Sequence, residues 1–176
     1  MAGRRGPGRR GGTVRAGSRL LTVAWLVGWV AGLEAQGTPA PGLLVLSDQA
    51  RRVLALHYRP HPTELMGCLI GAITGDTVRV DRIAPADVDP VHSTPTHVLP
   101  KQTCEEAGWG QTVGAIHSHP AGERCWYFFP GTRVLSSDGQ SFVRSPYAID
   151  ALLCGQRVVW INREMVERSL DVEPSP

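Results

Sequence analysis

The sequence predicts an α/β domain of the layered α+β kind, and three observations predict it. Short apolar runs bounded by Gly, Pro or Asp recur along most of the chain, which is the signal for strands. Between them lie two segments that open on serine and read as helices. The length of 176 residues suits one domain, and 42% hydrophobic against 19% charged residues is a globular balance with enough apolar mass for a core. Strands interspersed with two or three helices pack as layers around that core.

The net charge of +2 hides a segregation. Six arginines (Arg4, Arg5, Arg9, Arg10, Arg15, Arg19) precede residue 20, and no acid does. They lead into an apolar run from Leu20 to Leu33, followed by Glu34, Ala35, Gln36 and Gly37. A basic start, an apolar centre and a small-residue exit form the pattern of an export signal. The run is short for a bilayer span, which needs roughly 20 apolar residues. Residues 1–37 are therefore expected to be a signal peptide, with an uncleaved N-terminal membrane anchor as the alternative. The expected location is outside the cytoplasm: secreted, periplasmic or in the cell envelope. From residue 38 onward, 12 Arg and Lys stand against 15 Asp and Glu. That mildly acidic body carries no basic patch, so no nucleic-acid partner is expected.

Residues 38–42 read as a linker, 43–170 as the domain and 171–176 as a tail. Leu43–Leu46 is a short apolar run, and Ser47 with Asp48 suits a helix start. Val53, Leu54 and His57 give that helix one face, and Pro60 and Pro62 end it. The second half of the segment 63–74 is a strand. Gly75-Asp76 makes a turn, and Thr77–Ile83 alternates as the return strand. Residues 84–103 hold four prolines with His92 and His97, and read as a long irregular loop. His92 and His97 are expected to be solvated, as are His57 and His61. Lys101–Ala107 reads as a short helix stopped by Gly108. Past an insert rich in aromatics (Trp126, Tyr127, Phe128, Phe129), Ser136 caps a further helix start. Arg157–Ile161 reads as a strand, a candidate for the centre of a sheet, and 163–171 as one more strand or helix.

The chemistry gathers at Val113–Pro120. An apolar run ends in His117, Ser118, His119 and Pro120. Residues i and i+2 of a strand share a face, so His117 and His119 aim both imidazoles into one volume. Pro120 suits a strand end, because it has no N–H to give a ladder. A catalytic zinc needs a third protein ligand and an open position for water. Asp138, near the serine-capped helix start, is the candidate, with Asp150 as the alternative. Glu64 is the candidate general base. The four cysteines, 68, 104, 125 and 154, permit disulfides in an exported protein. Cys104 and Cys125 flank the histidine strand in polar context and are the expected bridge. Cys68 and Cys154 sit in apolar stretches and read as buried. The absence of Cys-x-x-Cys argues against a structural zinc ribbon.

Glu64-x-x-Gly67-x-Leu69-x-Gly71, then His117-Ser118-His119-Pro120, then the Ser/Asp element at 136–138, resembles the JAMM (MPN+) metalloprotease domain over roughly residues 43–162. The resemblance implies a cytidine-deaminase-like fold, a mixed β-sheet flanked by helices. It implies a zinc ion held by His117, His119 and Asp138. It also implies that Glu64 holds the attacking water and that a serine near the aspartate, here Ser136, steadies the oxyanion. Two departures stand out. Eighteen residues separate His119 from Asp138, more than the family usually has, and the aromatic insert accounts for the excess. The family serine sits three residues before the aspartate, where this chain has Leu135.

The reaction so implied is zinc-assisted hydrolysis of a peptide or isopeptide bond in a peptide or protein substrate. A second class is a non-catalytic scaffold or binding module of the same fold. The aromatic run at 126–129 is read as a substrate-contacting flap in preference to ordinary packing. A cysteine nucleophile at Cys125 is disfavoured, because it leaves the Glu64 motif without a role.

Overall fold

A computed structural model of the chain describes residues 39–57, 64–94, 97–119 and 124–172. The export-signal segment, His61 and the prolines at 60, 62, 95 and 120 lie outside the described residues. Among the described residues, no helix is long and apolar enough to cross a membrane.

The elements in chain order are β1 (Leu43–Leu46), α1 (Asp48–His57), β2 (Met66–Thr74), β3 (Thr77–Pro85), β4 (Thr112–Ser118), α2 (Ser137–Arg144), β5 (Ile149–Cys154), β6 (Arg157–Asn162) and β7 (Glu167–Asp171). The seven strands form one mixed sheet in the order β1-β3-β2-β4-β5-β6-β7. Pairs β1/β3 and β4/β5 are parallel and the others antiparallel. The predicted α/β class therefore holds, with two helices among the described residues.

Local chemistry accounts for the elements. The Ser47 hydroxyl accepts from the Ala50 N–H at 3.1 Å and caps α1, whose Ala50 and Leu54 are fully buried. Gly75, at φ +58, turns β2 into β3, a conformation that costs glycine little. Gly71 sits at a register shift in that hairpin, where a Cβ would lie 1.9 Å from the Arg79 carbonyl oxygen. The last glycine of the Glu64 motif is thus required by backbone packing.

β4 is the middle strand, and Val113 to Ile116 are buried. β6, expected near the centre, lies one strand in from the edge. Its uniformly apolar Val158–Ile161 comes from burial of both faces, which reads the same at any place in a covered sheet. The Val172 side chain is also buried, so the packed domain reaches two residues past 170.

The two faces of the sheet carry separate cores. One packs Leu69, Ile116, Ile149, Val158 and Trp160 with Ala50 and Leu54 of α1. The other packs Tyr127, Phe142, Leu152, Val159 and Ile161, and beside them Cys68, Ile70, Ala84 and Cys104.

Two expectations are corrected here. The disulfides are Cys68–Cys104 and Cys125–Cys154, not Cys104–Cys125. Each cysteine in a polar segment covers a sheet face and bonds to the strand cysteine beneath it, with Cα separations of 5.9 and 6.0 Å. Lys101–Ala107 is not a helix but a single turn. The Thr103 hydroxyl accepts from the Glu106 N–H at 3.2 Å, and the Glu106 carboxylate accepts from the Thr103 N–H at 2.8 Å. The start of a helix is capped, but Gly108 at φ +82 closes it before a second turn forms.

Candidate metal centre

β4 delivers His117, and His119 follows its last residue on the same face, as the strand period requires, with ring centroids 5.2 Å apart. Ser118 between them points to the opposite face and is buried. Its hydroxyl oxygen accepts from the Leu65 N–H at 2.8 Å, and its own N–H donates to the Leu65 carbonyl at 2.9 Å. With Met66 paired to His117 across β2 and β4, this sets Glu64, 8% exposed, beside the histidines.

The third group comes from α2. Ser136 is its N-cap, with the hydroxyl oxygen accepting from the Gly139 N–H at 3.2 Å. Asp138 lies in the first turn, where the helix dipole favours a carboxylate. His117 Nε2 is 3.6 Å from Asp138 Oδ1, and His119 Nε2 is 3.5 Å from Asp138 Oδ2. One ligand atom from each of His117, His119 and Asp138 falls within 4.8 Å of the others. Two imidazoles and a carboxylate, with a cavity on the open side, are a donor set that suits a divalent transition metal.

Asp150, the alternative third ligand, is not in that group. It is buried on β5, and its Oδ2 accepts a hydrogen bond from the Tyr127 hydroxyl at 2.9 Å.

The electrostatics are those of acids crowded into a site of low polarity. Burial pushes the Glu64 carboxyl up to about 7; His117 opposes this and Asp138 adds to it. Burial likewise raises Asp150 to about 6, against His117 and the Tyr127 hydrogen bond. Burial disfavours the His117 imidazolium, but the Asp138 hydrogen bond and the charges of Asp150, Asp138 and Glu64 outweigh it and raise the ring. Asp138 is held below the ordinary carboxylate value, because His117 and His119 outweigh the cost of its burial.

A cavity of about 690 Å³ opens from these groups. One wall is the segment from His97 to Cys104, and the other is α2, with Ser137, Ser141 and Phe142, followed by Tyr147 beyond its end. His97 is exposed on that wall, whereas His92 is exposed and paired with Asp89 at 2.7 Å.

The aromatic run does not form the expected flap. Among the described residues of the insert only Arg124 lines the cavity. Tyr127 is fully buried in the core under α2, and the Cys125–Cys154 bridge ties its neighbour to β5. Ser136 is not on the cavity wall either; its oxygen is engaged in the cap, while Ser137 and Ser141 face the cavity. Sequence reasoning missed Tyr127 as a polar anchor, and the adjacency of four aromatics concealed the one that carries a hydroxyl into the core.

Residues 40–128 match the family described as prokaryotic homologs of the JAB domain. The match ends before Asp138, so the third group is seen only in the folded chain. No curated protein matches. Among solved structures, the solution structure of protein DSY2949 from Desulfitobacterium hafniense is similar at 19% identity, over 73% of this chain and 90% of that one, with a TM-score of 0.42.

Proposed function

Because the chain belongs to the family of prokaryotic homologs of the JAB domain, we propose that it is a zinc metallopeptidase of JAMM type that hydrolyses an amide bond in a peptide or protein. The observation that carries this reading is the convergence of His117, His119 and Asp138 within 4.8 Å beside a buried Glu64. The donor set fits the ion, and these three residues would hold it. When bound, zinc acidifies water and polarises a carbonyl.

The protein's own groups divide the remaining work. Glu64, buried beside the histidines, is the group to take a proton from the attacking water and give it to the leaving amine. The hydroxyls of Ser137 and Ser141 line the cavity; that of Ser137 donates to Asp138 Oδ1 at 3.5 Å, which leaves Ser141 as the hydroxyl to donate to a carbonyl oxygen gaining charge. Ser136 contributes through the cap that holds Asp138. The cavity of about 690 Å³ gives a chain segment room beside these groups. Export fits the two disulfides and the basic, then apolar, N-terminal sequence.

The test is metal analysis of the purified protein together with digestion of a peptide library, with and without chelator. Glu64→Gln is expected to keep zinc and lose hydrolysis. Full hydrolysis by Glu64→Gln, or zinc content indifferent to substitution of His117 and His119, overturns the reading.

A further inference from the structure

We propose that Tyr127 and Asp150 form a positioning pair for the metal group, holding the helix of Asp138 through the Tyr127 backbone and fixing a buried carboxylate on the sheet face that carries His117. The proposal rests on the metal-site reading above and assigns two residues that are not ligands.

Asp150 stands on β5, the parallel neighbour of the histidine strand. Its register partner is Ala115, two residues before His117, so Asp150 and His117 lie on one face of the sheet. Both line the same cavity. A buried carboxylate is costly unless it is satisfied. The Tyr127 hydroxyl supplies that satisfaction at 2.9 Å and fixes the carboxylate in place.

Tyr127 is also tied by its backbone. Its N–H donates to the Glu167 carboxylate at 2.8 Å. Its carbonyl accepts the N–H of Ser136 at 2.8 Å. That bond holds the N-cap of the helix whose first turn carries Asp138. Gly139, one residue past Asp138, packs so closely on the same carbonyl that a Cβ would lie 2.5 Å from it. Tyr127 therefore touches the support of the third ligand through its backbone and the neighbour of the first through its side chain. This is how an insert of unusual length still returns an aspartate to the two histidines. Loss of the groups that support metal ligands from behind typically costs about 10–100-fold in metal affinity.

The experiment uses the full folded protein and reads zinc affinity by chelator competition, the visible spectrum of the Co(II)-substituted protein, and the melting temperature of the metal-free form. Tyr127→Phe keeps the ring and removes the hydroxyl; Asp150→Asn keeps the shape and removes the charge. Both are expected to weaken zinc binding about 10–100-fold and to shift the Co(II) spectrum, while Tyr127→Phe remains folded. Unchanged zinc affinity and Co(II) spectrum in both variants, with only the melting temperature altered, overturns the positioning role and leaves the metal site standing. If the unmodified protein binds zinc no better than His117→Ala, the metal-site reading fails and the pair falls with it.

Discussion

The Ser118 hydroxyl oxygen accepts the backbone N–H of Leu65 at 2.8 Å, so the residue between the two histidines anchors the residue after the candidate base. Ligand strand and base are thereby locked in register by a side chain that faces away from the site. Ser118→Ala leaves a partly buried N–H without this acceptor, a loss of about 1–3 kcal/mol. Zinc content should be unchanged, because His117 stays on β4 and His119 just past its end. Turnover should fall more than zinc affinity, because Glu64 is no longer held. Parallel zinc titration and peptidase assays check this, and an equal loss in both counts against it.

Ser136 offers a test of cap against direct catalysis. Replacing an N-cap serine with alanine costs about 1 kcal/mol, whereas aspartate caps as well as serine. If Ser136 acts by holding α2, Ser136→Ala should lower both melting temperature and zinc affinity, and Ser136→Asp should restore them. A variant with aspartate that regains stability and zinc but not hydrolysis would instead assign the hydroxyl a direct role.

The pKa shifts fix the sign of a pH dependence in the metal-free protein. Glu64 and Asp150 move up from ordinary values of 4.5 and 3.8 to about 7 and about 6, and His117 is raised above 6.5. In all three the folded state holds its proton more tightly than the unfolded chain. Their contribution is fully present below the unfolded values and is lost as pH rises through the folded ones. Asp138 is lowered and works oppositely, losing its contribution as pH falls below about 4. Denaturation midpoints in chelator should therefore decline from about pH 4.5 to 7.5, less steeply in Glu64→Gln. Zinc, which binds the deprotonated ligands, should reverse the decline. A midpoint that climbs across this range without metal contradicts the assignment.

The two disulfides should separate by their effect on the site. They span 36 and 29 residues. Loss of either removes about 3–4 kcal/mol on the chain-entropy account. Cys68–Cys104 ties down a cavity wall, so its double serine variant should lose stability and substrate affinity but keep zinc. Cys125–Cys154 ties down the segment bearing Tyr127, so its double variant should lose zinc affinity as well. Chelator competition on both folded variants decides between them.

What the sequence determined by itself was local. Alternation and the two-residue strand period placed His117 and His119 together, a serine marked each helix start, and Gly75 marked the hairpin. These follow from neighbours a few residues apart, where backbone geometry leaves little choice. The tertiary structure decided which of two aspartates meets the histidines, which cysteines pair, and where the aromatic insert packs. Each depends on strands and loops brought together from tens of residues apart, so sheet order selects among partners that local sequence leaves equivalent. Asp150 shows the difference most clearly. As a sequence position it is a second candidate ligand; once β5 lies parallel to β4, it is a buried carboxylate on the face of His117, bonded to the Tyr127 hydroxyl.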